Sequence, residues 1–291
     1  MNPKLLLPIL GLLDQIPLPG PEGRNDFVEL CAGEGHLSRA LWSCGYHGKA
    51  FDVRFSKNHN LLRTVGFLTV LAAVRNIRPG GCIVAAPPCG TWVFLSSPST
   101  GRTWMDPEGF KTKTCVLNNI LVMRVLYILW YAWQRGVFFI WEQPLSSVMF
   151  AWKPVQMFLA SCNARRVSFP MGSFGAKTMK FTTIWGTLPS LHSLKRPINI
   201  KQLREALART SVSLVKKSID KSGKRRIAGD KKKLADSAVY PRDFGMAVAA
   251  LFRKEGCRQA AELDFQYKAS AEDMGALEDF RFGKNAWWRK L

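Results

Sequence analysis

Three short segments of this chain carry residues whose types and order could do chemistry together. In Ala85-Ala86-Pro87-Pro88-Cys89-Gly90-Thr91-Trp92, two prolines stiffen the exit of an apolar run and present one cysteine just beyond it. A thiolate suits reversible attack on a carbon, and rigid placement supplies near-attack geometry. In Phe138-Phe139-Ile140-Trp141-Glu142-Gln143-Pro144, a lone carboxylate ends an apolar run, where it can hold or give a proton at a ring nitrogen. Phe27-Val28-Glu29-Leu30-Cys31-Ala32-Gly33-Glu34-Gly35 reads as a strand that enters a G-x-G turn, and Asp52 closes the next strand. Glycines there let a ligand approach the backbone, and a carboxylate at that strand end meets ribose hydroxyls. Each segment also has a plainer reading: an inert cysteine, a strand-end Glu that caps a helix, and a good strand-to-helix connection.

The remaining cysteines, at 31, 44, 82, 115, 162 and 257, lack the nucleophile context of Cys89. No C-x-x-C pair or metal-like Cys/His spacing occurs, so no metal site and a reducing, intracellular compartment are expected. His36, His47, His59 and His192 are scattered and read as surface or helix-end residues.

The elements that must position these groups follow from periodicity. Strands are predicted at 27–31, 49–53, 82–86 and 137–141, and helices at 37–44, 61–77 and 116–134, with Pro79-Gly80-Gly81 breaking the second helix from its strand. Strand and helix alternating in this way give a parallel α/β sheet, whose functional groups collect at the carboxyl ends of the strands. The organisation expected is a loosely packed leader over 1–25, a core over 26–190, a basic segment over 191–236, a helix docking back on the core over 237–255, and a tail over 256–291. No internal repeat is found.

Charge sets the expected partner. The 291 residues contain 42 Lys plus Arg against 21 Asp plus Glu, a net +21 that attracts polyanions, nucleic acid first. Lys216, Lys217, Lys224, Arg225, Arg226, Lys231, Lys232 and Lys233 concentrate this charge and read as a phosphate-binding or nuclear-import segment, with a solvated loop as the bland alternative. A nuclear location is expected ahead of a cytoplasmic one. The apolar run over 125–133 falls short of the ~20 residues that cross a bilayer, so no membrane association is expected. The run over 5–13 lacks a cleavage site and is not read as a signal peptide. Oligomeric state is left open.

Taken in order, F-V-E-L-C-A-G-E-G, F-D-V, P-P-C and E-Q-P resemble motifs of the cytosine-C5 methyltransferases. The stretches A-A-P-P-C-G-T-W-V-F-L-S and W-E-Q-P-L-S-S are similar to methyltransferase-like proteins of dinoflagellate algae. The resemblance covers about residues 26–190. It implies a Rossmann-like S-adenosylmethionine-dependent methyltransferase fold, a mostly parallel sheet with helices on both faces, plus a short basic insertion. The implied activity is methyl transfer to C5 of cytosine in DNA or RNA. Cys31, Gly33, Gly35, Asp52, Val53 and Pro87 would face the cofactor S-adenosylmethionine, and Cys89, Glu142 and Lys180 would be catalytic. Cys89 would attack C6 of a pyrimidine flipped out of any duplex, and Glu142 would contact N3 and the amino edge.

The chain departs from the family pattern at several positions. Gly90, Trp92 and Val93 follow P-P-C in place of the usual residues, and Gln143-Pro144 follows Glu142. Over 174–182, F-G-A-K-T-M-K-F-T resembles a family segment with two arginines, which are here Lys180 and Thr182; Lys177 of the same segment is assigned to nucleic acid. Ala238-Val239-Tyr240-Pro241 stands roughly where the last motif belongs. Two other readings stay open: a nucleic-acid-binding protein that keeps the fold without catalysis, and an adenine amino methyltransferase, which would want an aromatic residue where Cys89 stands.

Overall fold

A computed structural model of the chain describes residues 24–109, 111–208, 215–219, 223 and 225–257. Its central sheet starts from β1 (Asn25–Leu30), buried along its whole length, flanked by β2 (Gly48–Phe51) and β3 (Ile77–Ala85), with β4 (Phe138–Pro144) beyond β3. These four strands run parallel. A parallel strand covered on both faces has no solvent side, which is why Phe138-Phe139-Ile140-Trp141 can be apolar at every position. β5 (Arg165–Pro170) and β6 (Phe181–Gly186) form an antiparallel hairpin, and β6 pairs antiparallel with β4, giving the order β2-β1-β3-β4-β6-β5. The result is a mostly parallel, mixed six-stranded sheet compatible with a Rossmann-like fold.

Helices cover both faces. α1 (His36–Ser43) follows β1, α2 (Thr64–Arg75) joins β2 to β3, and the short α3 (Ser97–Thr100) and long α4 (Lys113–Trp133) lie between β3 and β4. α5 (Lys153–Ser161) precedes β5, while α6 (Ile200–Ala208), the hairpin β7 (Val215–Ile219) and β8 (Arg225–Gly229), α7 (Lys231–Asp236) and α8 (Arg242–Lys254) follow β6. Val28, Leu30, Ile83, Phe139 and Trp141 share a core with α2, α4 and α5. Phe27, Val84 and Ile140 share another with Leu37 and Leu41 of α1 and Phe244, Val248 and Phe252 of α8. The two helices on that face approach closely at Gly245, where a Cβ would lie 2.6 Å from the Ala40 Cβ. Strand alternation turns Glu29 and Glu142 to this same α1/α8 side.

Chain order sets where a ligand can enter. From β1 the chain moves outward to β2, then returns past β1 to β3 and on to β4. That reversal leaves a crevice between the carboxyl ends of β1 and β3, the place where open α/β sheets hold ligands.

The structure corrects several expectations. Pro79-Gly80-Gly81 does not separate helix from strand but lies inside β3, where the register against β1 slips between Asn25 and Phe27. Gly80, at φ 76°, supplies the turn that absorbs the extra residues. Glu142 is not a free strand end, because β4 continues to Pro144 by pairing with β6 while its pairing with β3 stops at Ala85 and Trp141. The basic segment over 191–236 contains α6, the β7/β8 hairpin and α7. α4 agrees with the helix expected over 116–134, but by length and composition it could cross a membrane, which the apolar run over 125–133 alone could not; half of that stretch is buried here, with Val122, Val125, Ile128 and Leu129 fully enclosed in the core. The leader up to residue 23, the tail beyond Cys257 and Lys224 lie outside the described residues. For Lys216, Lys217, Arg225, Arg226, Lys231 and Lys232 only the backbone is described.

Candidate active site

The first part of the site is the turn after β1. Cys31, Gly33 and Gly35 all have positive φ, at 57°, 59° and 69°, so the chain doubles back tightly before α1. The Gly33 N–H donates to Asp52 Oδ2 at 2.9 Å, and the Arg54 N–H donates to Asp52 Oδ1 at 2.9 Å. The carboxylate at the end of β2 thereby ties the β1 turn to the β2 exit. Val53 and Phe55 are exposed beside it, and Arg54 pairs with Glu34 across the turn. Beneath the turn, Glu29 is buried and accepts from the backbone N–H and hydroxyl of Ser38 in α1, while its Oε1 has no hydrogen-bond partner. Burial pushes the Glu29 carboxyl up to about 7; the Ser38 hydrogen bonds hold it down, and the charge of Asp52 adds to the rise. Desolvation pushes the Cys31 thiol to about 12, which suits a residue that lends its backbone conformation rather than its sulfur.

The second part lies one strand over. β3 ends at Ala85, and Pro87 is held by its carbonyl, which accepts from Gln143 Nε2 at 2.7 Å; Ser147 Oγ in turn donates to Gln143 Oε1 at 3.1 Å. The Cys89 carbonyl accepts from the Trp92 N–H at 2.8 Å, and the Trp92 carbonyl accepts from the Val148 N–H at 2.8 Å. Cys89 is therefore flanked by a side-chain bond from Gln143 in β4 on one side and backbone bonds through Trp92 to Val148 on the other. Trp92 is itself buried under the guanidinium of Arg102, whose Cζ lies 3.4 Å from a ring centroid. Arg102 donates to the carbonyls of Pro107, Glu108 and Cys115 and to Asn119 Oδ1, fastening the loop after Cys89 to α4.

Three side chains meet above these elements. Glu142, buried in β4, accepts from the Tyr240 hydroxyl on Oε2 at 2.9 Å. Its Oε1 has no hydrogen bond and lies 3.9 Å from Lys180 Nζ. Burial raises the Cys89 thiol above its ordinary value, the charge of Glu142 adds to that, and Lys180 opposes it. Burial and Glu142 thus hold the sulfur toward the thiol, and the charge of Lys180 is what assists its ionisation.

Among the residues expected from the sequence, the structure brings Cys89, Glu142 and Lys180 into one electrostatic cluster. It gathers Cys31, Gly33, Gly35, Asp52 and Val53 at the neighbouring crevice. Pro87 is buried, with its carbonyl committed to Gln143. Lys177 is exposed on the approach to β6. Thr182 is fully buried, with its hydroxyl 3.5 Å from the Lys180 carbonyl. Sequence reasoning missed Tyr240, Arg102 and Glu29. Of these only Glu29 had a local signal, a carboxylate inside an apolar strand. No protein-family model matches the chain, and no curated protein matches it.

Proposed function

We propose that the protein is an S-adenosylmethionine-dependent methyltransferase that acts at C5 of cytosine in nucleic acid through a covalent bond from Cys89. The observation that carries this reading is the meeting of a thiol, a buried carboxylate with one unbonded oxygen, and a cation beside the β1/β3 crevice. The net +21 supports a polyanionic substrate, because each neutralised phosphate releases counterions.

The crevice residues fit such a cofactor. A Cβ added to Gly33 would meet nothing within 4 Å, so open space lies over the backbone there. Asp52 spends one lone pair on each oxygen, leaving about half of its roughly four acceptor sites for a ribose diol. Val53 and Phe55 add apolar surface next to it. When bound, S-adenosylmethionine supplies an electrophilic methyl group.

The chain's own residues do the rest. The Cys89 thiol gives its proton to solvent and the thiolate adds to C6, which places electron density on C5; Glu142 Oε1 shares a carboxyl proton with N3 and takes it back when the adduct collapses, and Lys180 donates to the base carbonyl. Loss of the C5 proton to solvent and expulsion of Cys89 then restore the ring double bond. A second reading, a nucleic-acid-binding protein with this fold and no catalysis, is favoured by Thr182, whose buried hydroxyl sits where the family places a second base-gripping Arg. Calorimetric titration with S-adenosylmethionine and with its demethylated product tests the enzyme reading. Binding that weakens in Asp52→Ala supports it, and no heat at millimolar cofactor refutes it.

A further inference from the structure

We propose that Tyr240 is a positioning residue for Glu142: its phenol occupies Oε2, so that Oε1 is the oxygen offered beside Lys180. The inference deepens the methyltransferase reading and rests on it for its kinetic readout, but not for its titration.

The geometry is local and specific. A buried carboxylate ordinarily has both oxygens bonded, because an unsatisfied buried acceptor costs free energy. Glu142 has one oxygen satisfied at 2.9 Å and the other, also buried, with no hydrogen bond. The phenol that satisfies it is fixed by packing. Tyr240 is buried just ahead of Pro241, the N-cap of α8, its ring lies 5.0 Å from that of Phe244, and the Lys180 ammonium is 5.9 Å from its ring centroid.

The titratable groups around Glu142 come from each neighbouring element: Tyr240 ahead of α8, Lys180 ahead of β6 and Cys89 after β3, with Glu29 of β1 acting on Tyr240 from the far side. Burial, and then the charge of Glu142, push the Tyr240 hydroxyl well above its ordinary value. The hydroxyl therefore stays a donor. A donor that bonds the charged form lowers a carboxyl's pKa. Removing the donor must raise it.

The test is Tyr240→Phe, which deletes one oxygen and keeps the ring. In protein labelled with 13C at glutamate carboxyls, the Glu142 resonance is the one that Glu142→Gln removes. Its titration should move up by about one to two pH units in Tyr240→Phe, the range expected for a hydrogen bond to a charged group. Methyl transfer should lose about tenfold or more in kcat with KM for the oligonucleotide unchanged, and the limb of the pH–rate profile that belongs to Glu142 should move up with the resonance. Phe244→Leu, which loosens the same corner but leaves the hydroxyl, should lower the melting temperature without moving either midpoint. An unmoved Glu142 titration in Tyr240→Phe overturns the proposal whether or not the protein methylates anything. A moved titration with an unmoved rate profile overturns the positioning role. A moved titration in Tyr240→Phe, together with a wild-type protein that transfers no methyl group, counts against the methyltransferase reading and supports the control of Glu142 by Tyr240.

Discussion

Replacing Arg102 with Met tests whether the loop that carries Cys89 is held by one buried guanidinium. Arg102 is 1% exposed and donates to the carbonyls of Pro107, Glu108 and Cys115 and to Asn119 Oδ1 while stacking on Trp92. Methionine fills much of the stem volume but supplies no donor. The Glu108 carbonyl keeps a bond from Asn119 Nδ2 at 3.0 Å and the Cys115 carbonyl keeps its helical donor within α4, so the acceptors left without a donor are the Pro107 carbonyl and Asn119 Oδ1. Each unsatisfied buried acceptor costs about 1–3 kcal/mol, and the stacked cation adds about 1–2 kcal/mol when desolvated. Burying a guanidinium is itself unfavourable and pulls its pKa to about 10, which offsets part of that sum. A net loss of about 3–5 kcal/mol is expected. For a domain of this size that lowers the melting temperature by about 6–15 °C. Because Trp92 holds the Cys89 carbonyl, turnover should fall by about 10²-fold, the cost of misplacing a reacting group by about an ångström. Arg102→Lys, with the charge but no planar fork, should fall between the two. Urea unfolding and methyl-transfer kinetics on the same preparations make the comparison. A Met variant within about 1 kcal/mol of wild type, or one with full turnover, would refute the anchoring role.

The remaining predictions concern pH and salt. Glu29 has its carboxyl raised from 4.5 to about 7, so the folded state binds the proton more tightly than the unfolded chain. Its contribution is fully present below pH 4.5 and is lost as pH rises to about 7, an amount near 3 kcal/mol at about 1.4 kcal/mol per pH unit. Urea midpoints measured across that window should fall for wild type relative to Glu29→Gln, and parallel curves would show that Glu29 is not the source. In the basic segment, replacing Lys224, Arg225 and Arg226 with Ala should flatten the dependence of oligonucleotide affinity on salt. The slope should drop by ~0.9 for each phosphate that is no longer neutralised on duplex DNA and by ~0.7 on single strands. An affinity that ignores salt would retire the nucleic-acid partner.

How much of this was legible in the sequence depended on how local the signal was. Cys89 and Glu142 stood out because each follows an uninterrupted apolar run, and such runs are strands buried on both faces. The β1 turn was legible because Gly33 and Gly35 punctuate a strand-to-helix change. The Pro79-Gly80-Gly81 stretch misled because Pro and Gly are read as breakers, whereas a strand can absorb them where its register slips. β5 and β6 went unread, although Arg166-Val167-Ser168-Phe169 alternates; they pair with each other, and β6 pairs with β4, contacts distant in the chain. Tyr240 could not be found from pattern, since it meets Glu142 across 98 residues of chain. Arg102 sits in a polar loop, and three of its acceptors are backbone carbonyls, which no residue type announces.

The most direct test of the account is incubation with an oligonucleotide containing 5-fluorocytosine in the presence of S-adenosylmethionine. Fluorine at C5 cannot leave as the proton does, so the bond from Cys89 to C6 should persist. The account predicts a denaturant-stable complex with the mass of protein, oligonucleotide and one methyl group, mapped to Cys89 and absent in Cys89→Ser. Methylation of ordinary cytosine without any trapped complex, or methylation that survives Cys89→Ser, would contradict it.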